Sequence, residues 1–259
     1  MSLGNTIKAI LFDLDGVLYV GGKVIPGASE ALDWVKSEGI PCCFITNTTT
    51  KTVHEVADKL RGFGFSIPDE SIFSAITATR DFLREQGNPS VDLLVRDSVK
   101  PEFEEFPQDS AMPDYVVVGD IGAAWDYPLM NRVFNELMGG ARLVAMHKTR
   151  YWQTDDGLCM DIGGFVAGFE YVSGQEALIM GKPSLSFFEY ARKSLGVPAD
   201  KVMMIGDDIE NDVGGGQAAG FQGVLVRTGK FLPQVLETSE VNPDAILASI
   251  ADLPNLLSS

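Results

Sequence analysis

The stretch Ile7-Lys8-Ala9-Ile10-Leu11-Phe12-Asp13-Leu14-Asp15-Gly16 decides how the rest of the 259-residue chain is read. Residues 7–12 form a short apolar run of strand length, and the run stops on two carboxylates. An extended backbone sends side chains two apart to the same side, so Asp13 and Asp15 point to one region while Leu14 turns away. Two carboxylates in one site repel, and one keeps its proton unless a divalent cation, shared with a third acid, relieves the cost. The plainer alternative is a turn, which Asp and Gly favour in any case.

Working outward, residues 41–45, 178–180, 202–205 and 223–226 repeat the pattern of an apolar run with a polar or glycine-containing end. Those ends are Thr46-Asn47-Thr48, Gly181-Lys182-Pro183, Gly206-Asp207-Asp208 and Arg227-Thr228-Gly229. Between the runs, Ala28, Ala31, Leu32 and Val35 recur at helical spacing, as do Val53, Val56, Ala57 and Leu60. Pro183 opens a third helix through Phe187, Phe188, Ala191 and Leu195, with Gly196 past its end. Strands alternating with helices predict an α/β protein with a Rossmann-like parallel core sheet, whose ligands bind beyond the carboxyl ends of the strands.

The rhythm breaks between residues 80 and 177, which carry strands of their own at 91–95, 115–118 and 142–146 and a helix at 128–138. We read this as an inserted α/β domain, so that residues 1–79 and 178–259 form a core split by a segment of 80–177. Its stretch 103–113, rich in Pro, Glu and Asp, reads as a surface loop. Met1-Ser2-Leu3 precedes the first periodic pattern and is read as a remnant of expression.

A second acidic group, Asp207 and Asp208 with Asn211 and Asp212 behind them, follows the run 202–205 at the same sheet edge. Oxygen-only ligands of this kind suit Mg²⁺, while a helix N-terminus is the alternative use of such acids. Thr46 and Asn47 offer a hydroxyl and an amide where a helix opens, a setting that binds phosphate or simply caps. Lys182 supplies a positive charge at a strand end.

In this order, Asp13-Leu14-Asp15-Gly16, Thr46-Asn47, Gly181-Lys182-Pro183 and Gly206-Asp207-Asp208-Ile209-Glu210-Asn211-Asp212 resemble the four motifs of the haloacid dehalogenase superfamily. About 33 residues separate the first two motifs and about 135 the second and third, room for a domain between motifs two and three. That spacing resembles subfamily IIA, the branch with a large α/β cap, which includes 4-nitrophenyl phosphatases, phosphoglycolate phosphatases and nucleotide phosphatases. Arg150-Tyr151-Trp152, Asp156-Gly157-Leu158, Phe169-Glu170-Tyr171 and Gly181-Lys182-Pro183 are similar to the phospholysine phosphohistidine inorganic pyrophosphate phosphatase group and its hydrolase-domain relatives.

The resemblance implies a Mg²⁺-dependent phosphatase acting on a small phosphorylated metabolite. It implies Asp13 as nucleophile, Asp15 as general acid and base, and a metal held by Asp13, the Asp15 carbonyl and Asp207. Asp212, directly or through water, and Asp208 and Asn211 would stand near that metal, and Thr46, Asn47 and Lys182 would face the phosphoryl oxygens. A phosphomutase, a dehalogenase and a silent phosphate-binding protein are the alternatives on the same fold.

Composition narrows the partners. Twenty Lys+Arg against 36 Asp+Glu leave a formal net charge of -16, which disfavours nucleic acid. No apolar run reaches the ~20 residues that span a bilayer, so no membrane is expected. Three cysteines, Cys42, Cys43 and Cys159, lack disulfide or zinc arithmetic and point to the cytoplasm. His54 reads as solvated. His147, ahead of Lys148, Arg150, Tyr151 and Trp152, belongs either to packing or to a set that meets the leaving group. Specificity is expected within residues 148–164, and apolar cap faces leave a homodimer and a monomer both open.

Overall fold

The computed structural model describes residues 6–154 and 157–258. Met1-Ser2-Leu3 and Asp156 lie outside the described residues, as do the side chains of Trp152 and Leu158. In chain order the strands are β1 (Ala9–Asp13), β2 (Tyr19–Val20), β3 (Lys23–Val24), β4 (Cys42–Thr46), β5 (Ile72–Ser74), β6 (Val91–Leu94), β7 (Tyr115–Val118), β8 (Arg142–Ala145), β9 (Tyr151–Thr154), β10 (Gly157–Met160), β11 (Leu178–Ile179), β12 (Val202–Gly206), β13 (Gln222–Val226) and β14 (Ala245–Leu247). The main helices are α1 (Ala28–Ser37), α2 (Val53–Gly62), α3 (Ala75–Glu85), α4 (Tyr127–Met138), α5 (Gly163–Ser173) and α6 (Leu185–Leu195). The chain forms two compact units: Met1–Thr46 with His54–Phe73 and Lys182–Ser259, and Asn47–Val53 with Ser74–Gly181.

The first unit is built on a six-stranded sheet in the order β14-β13-β12-β1-β4-β5. Its pairings of β1 with β4 and β12, and of β13 with β12 and β14, are parallel. Every residue of β1 and β12 is buried, which is why these strands read as unbroken apolar runs rather than alternating ones. Helix α1 turns Ala28, Ala31 and Val35 inward; α6 buries Phe187, Phe188 and Ala191 and stops at Gly196, whose φ of 66° suits glycine. The chain builds from β1 outward through β4 to β5, then returns to the other flank of β1 with β12, β13 and β14. The direction of growth therefore reverses between β1 and β12, and such a reversal opens a crevice at the strands' carboxyl ends.

The second unit carries a four-stranded sheet in the order β11-β8-β7-β6, parallel throughout. Val133 and Leu137 of α4 and Val166 and Phe169 of α5 pack with Val116, Val118, Leu143 and Ala145 into one core. Residues 178–180, expected to join the main sheet, instead pair with β8 through Leu178↔Val144 and Ile179↔Ala145. A two-residue strand has too little periodicity to declare its sheet, and the chain re-enters the first unit only at Lys182. Stretch 103–113 is also less superficial than its composition suggests. Phe103 and Phe106 are buried within it, 6.2 Å apart between ring centres. Arg80 and Arg84 of α3 hold its flank through Glu102 and Glu105.

Candidate active site

Sheet register brings the polar ends together. Phe12 lies beside Ile205 on one flank and Asp13 beside Ile45 on the other, so Asp13 leaves β1 between Thr46 and the Gly206-Asp207 step. These are the carboxyl ends flanking the reversal described above. Gly206 lets the next turn of chain fold back on itself: a Cβ there would stand 2.2 Å from the Asp212 Cβ.

The carboxylates of Asp13, Asp207 and Asp212 are all buried, with ligand oxygens within 4.8 Å of one another. Lys182, 5% exposed, lies with its Nζ 2.6 Å from Asp13 Oδ1 and 2.6 Å from Asp212 Oδ1. Burial works to discharge this ammonium, but the charges of Asp13 and Asp212 and their hydrogen bonds outweigh it and hold its pKa above the ordinary lysine value. Burial first, then the neighbouring carboxylates, pushes Asp207 upward; burial also pushes Asp212 upward, against the pull of Lys182. Fully ionised, three buried carboxylates around one buried ammonium would carry two negative charges in excess, the charge of one divalent cation. Asp207 Oδ1 is buried and has no hydrogen-bond partner among the described residues. An unpartnered carboxylate oxygen within an all-oxygen donor set fits a hard cation such as Mg²⁺.

Beyond Asp13 the chain turns sharply. Leu14 is fully buried while Asp15 stands exposed at the rim. The carboxyl of Asp15 still lies close enough to the packed edge that desolvation, and after it the Asp13 charge, raises its pKa against Lys59, Lys230 and Lys182. Gly16, at φ +89°, donates its N–H to the Tyr19 carbonyl at 2.7 Å, and Lys59 sits 3.9 Å over the Tyr19 ring. Asp208 caps the helical turn Ile209–Gly214: its Oδ1 accepts from the N–H groups of Glu210 and Asn211, and its Oδ2 from the Asn211 side chain at 2.7 Å. Asp212 Oδ2 accepts the Asp208 N–H at 3.1 Å, so this cap holds the buried acid in place.

Of the residues singled out from the sequence, Asp13, Asp207, Asp212 and Lys182 meet directly, Asp15 lies within the field of Asp13, and Thr46 ends the strand beside β1. Asn47 belongs to the second unit, its Oδ1 so near Gly181 that a Cβ there would lie 2.6 Å away. Asp208 and Asn211 act on each other and on the turn they begin. Sequence reasoning missed Lys230, whose N–H donates to Asp207 Oδ2 at 2.6 Å, and Thr228, whose hydroxyl donates to the Gly16 carbonyl at 2.5 Å. The polar end after residues 223–226 was the only signal for either. Burial lowers the Lys230 ammonium, yet Asp13 and Asp207 together raise it above the ordinary value.

His147 is buried in the second unit, its Nδ1 accepting the Thr149 N–H at 3.3 Å and its Nε2 3.8 Å from Asp161. His54 is exposed and bonded to Asp69. Cys43 is buried, and burial pushes its thiol up to about 12; Cys159 is exposed. No helix among the described residues is long and apolar enough to cross a membrane.

The haloacid dehalogenase-like hydrolase family matches residues 10–107, and a HAD-hydrolase-like family matches residues 179–253. The chain is 36% identical over 248 residues to human haloacid dehalogenase-like hydrolase domain-containing protein 2, covering 95% of this chain and 93% of that one. It is 37% identical over 258 residues to rat phospholysine phosphohistidine inorganic pyrophosphate phosphatase, covering 97% and 94%. Among solved structures, the 4-nitrophenylphosphatase of Thermotoga maritima superposes with a TM-score of 0.92 at 27% identity, over 99% of this chain and 100% of that one.

Proposed function

Because the chain belongs to the haloacid dehalogenase-like hydrolases, in the branch with an inserted α/β unit, we propose that it is a Mg²⁺-dependent phosphatase of small phosphorylated metabolites. The observation that carries this reading is the buried cluster Asp13, Asp207 and Asp212, with one ammonium to offset it and one carboxylate oxygen left bare. The names of the rat and Thermotoga relatives support phosphate esters, phosphoamides or pyrophosphate as the substrate class.

Asp13, Asp207, Asp212 and the Asp15 carbonyl would hold the ion, which when bound supplies positive charge to phosphoryl oxygens. Asp13 attacks phosphorus in line; the bond from phosphorus to the leaving oxygen breaks as the bond to Asp13 forms, giving an aspartyl phosphate. Asp15, its proton retained more readily than an ordinary carboxyl's, passes that proton to the leaving oxygen. Now a carboxylate, it takes a proton from the incoming water, which attacks phosphorus and frees Asp13. Lys182, Thr46 and Asn47 neutralise and orient the phosphoryl oxygens throughout. Asp208 and Asn211 hold Asp212 rather than the substrate. In this reading the first unit, which takes up the chain again at Lys182, is the catalytic core, and the second unit, built on residues 74–181, is a cap that excludes water and selects the leaving group. The unpaired cysteines support a reducing, cytoplasmic setting.

Release of 4-nitrophenol from its phosphate ester tests the proposal. Turnover is expected to need Mg²⁺, to stop on chelation, and to vanish in Asp13→Asn, which keeps the shape but not the nucleophile. Undiminished turnover in that variant would reject the mechanism. A dehalogenase has no use for three clustered acids, and the same assay with a haloacid is expected to yield no halide.

A further inference from the structure

The loop that follows β13, residues 227–230, touches both halves of the acidic site although it contributes no carboxylate. The Lys230 N–H takes Asp207 Oδ2 at 2.6 Å, while the other oxygen of that carboxylate stays buried, with no hydrogen-bond partner among the described residues. A carboxylate with one oxygen committed cannot spin freely about its terminal bond, so the bare oxygen keeps a fixed direction. The Thr228 hydroxyl meanwhile donates to the carbonyl of Gly16, in the turn that leaves Asp13 and Asp15.

Glycines make the approach feasible. A Cβ on Gly229 would lie 2.0 Å from Asp207 Oδ2 and 2.3 Å from the Gly16 Cα, and one on Gly16 would lie 1.9 Å from Asp207 Oδ2. Both glycines also hold positive φ, +61° and +89°. Backbone thus passes over backbone with the Asp207 carboxylate clasped between. A loop that only ended its strand would need neither glycine nor a bond to the opposite turn.

We infer that residues 228–230 form a positioning clasp: they fix the Asp207 carboxylate and the turn after Asp13 in the arrangement that receives the divalent cation. This rests on the proposed function, since it concerns how that cation is held. Groups that orient metal ligands typically contribute 10–100-fold to metal affinity, although they never touch the ion.

The test measures binding of Mn²⁺, a spectroscopically visible stand-in for Mg²⁺, by the loss of the free-ion resonance when full-length protein is added. Gly229→Ala is expected to weaken Mn²⁺ binding by tenfold or more. Thr228→Val removes the hydroxyl at nearly constant shape and is expected to weaken it in the same direction, with Thr228→Ser restoring it. The Thr228 pair decides the matter if Gly229→Ala does not fold. Folded Thr228→Val and Gly229→Ala proteins that bind Mn²⁺ as tightly as the wild type overturn the clasp and leave the proposed function standing. Wild-type protein that takes up no Mn²⁺, with Asp207→Asn indistinguishable from it, overturns both.

Discussion

Lys182 shows how a single residue can be forced into an expensive place and kept there. A lone lysine is rarely buried, and this one is tolerated because two carboxylates meet its ammonium at 2.6 Å each. Removing it leaves Asp13 and Asp212 buried without their counter-charge. Lys182→Met is therefore expected to cost about 3–5 kcal/mol of stability in metal-free buffer, read from the urea midpoint. Equal midpoints for variant and wild type would mean that the pair is far better solvated than its burial implies. At this scale the acids and Lys182 were legible because their chemistry resides in the side chain and each follows an apolar run. Lys230 was not, since what it gives Asp207 is a backbone N–H that almost any residue could supply.

Elements were legible where burial is two-sided. β1, β12 and most of β13 declare themselves as continuous apolar runs, whereas β5 and β14, three residues each, do not. Helix α3 begins with Ser74 and Thr77 exchanging side-chain and backbone hydrogen bonds, a capping pair without the Glu that usually advertises one. Helix α4 follows its predicted span and adds a charge arrangement that no periodicity reveals. Arg132 pairs with Asp92 of β6 and with Glu136. Burial, and after it the Asp92 charge, raises the Glu136 carboxyl to about 7. An acid harder to ionise in the folded chain than in the unfolded one adds stability that is complete below about pH 4.5 and is lost as pH climbs through about 7. The melting temperature of wild type relative to Glu136→Gln is therefore expected to fall between about pH 5 and about pH 8. A gap that widens with pH would show Glu136 to be stabilised as its anion.

For the molecule as a whole, a net charge of -16 sets a field that opposes the approach of any phosphorylated substrate. Close to the cluster, Lys182 and a bound cation act over contact distances; farther out, the surface charge is screened over about 30 Å at 0.01 M salt and about 8 Å at 0.15 M. Raising NaCl between those limits at fixed free Mg²⁺ is expected to increase kcat/KM for 4-nitrophenyl phosphate a few-fold with little change in kcat. A decrease would reveal a locally positive entrance that outweighs the total.

The strand order has one more consequence, in time rather than in space. β1 and β12 are neighbours in the sheet but far apart in the chain: Asp13 is translated early, whereas Lys182, Asp207 and Asp212 emerge only after the entire second unit has been made. At roughly 5–20 residues per second, Asp13 waits about ten to forty seconds for its partners. A ribosome-bound chain therefore carries an incomplete acidic cluster until the C-terminal strands have been made.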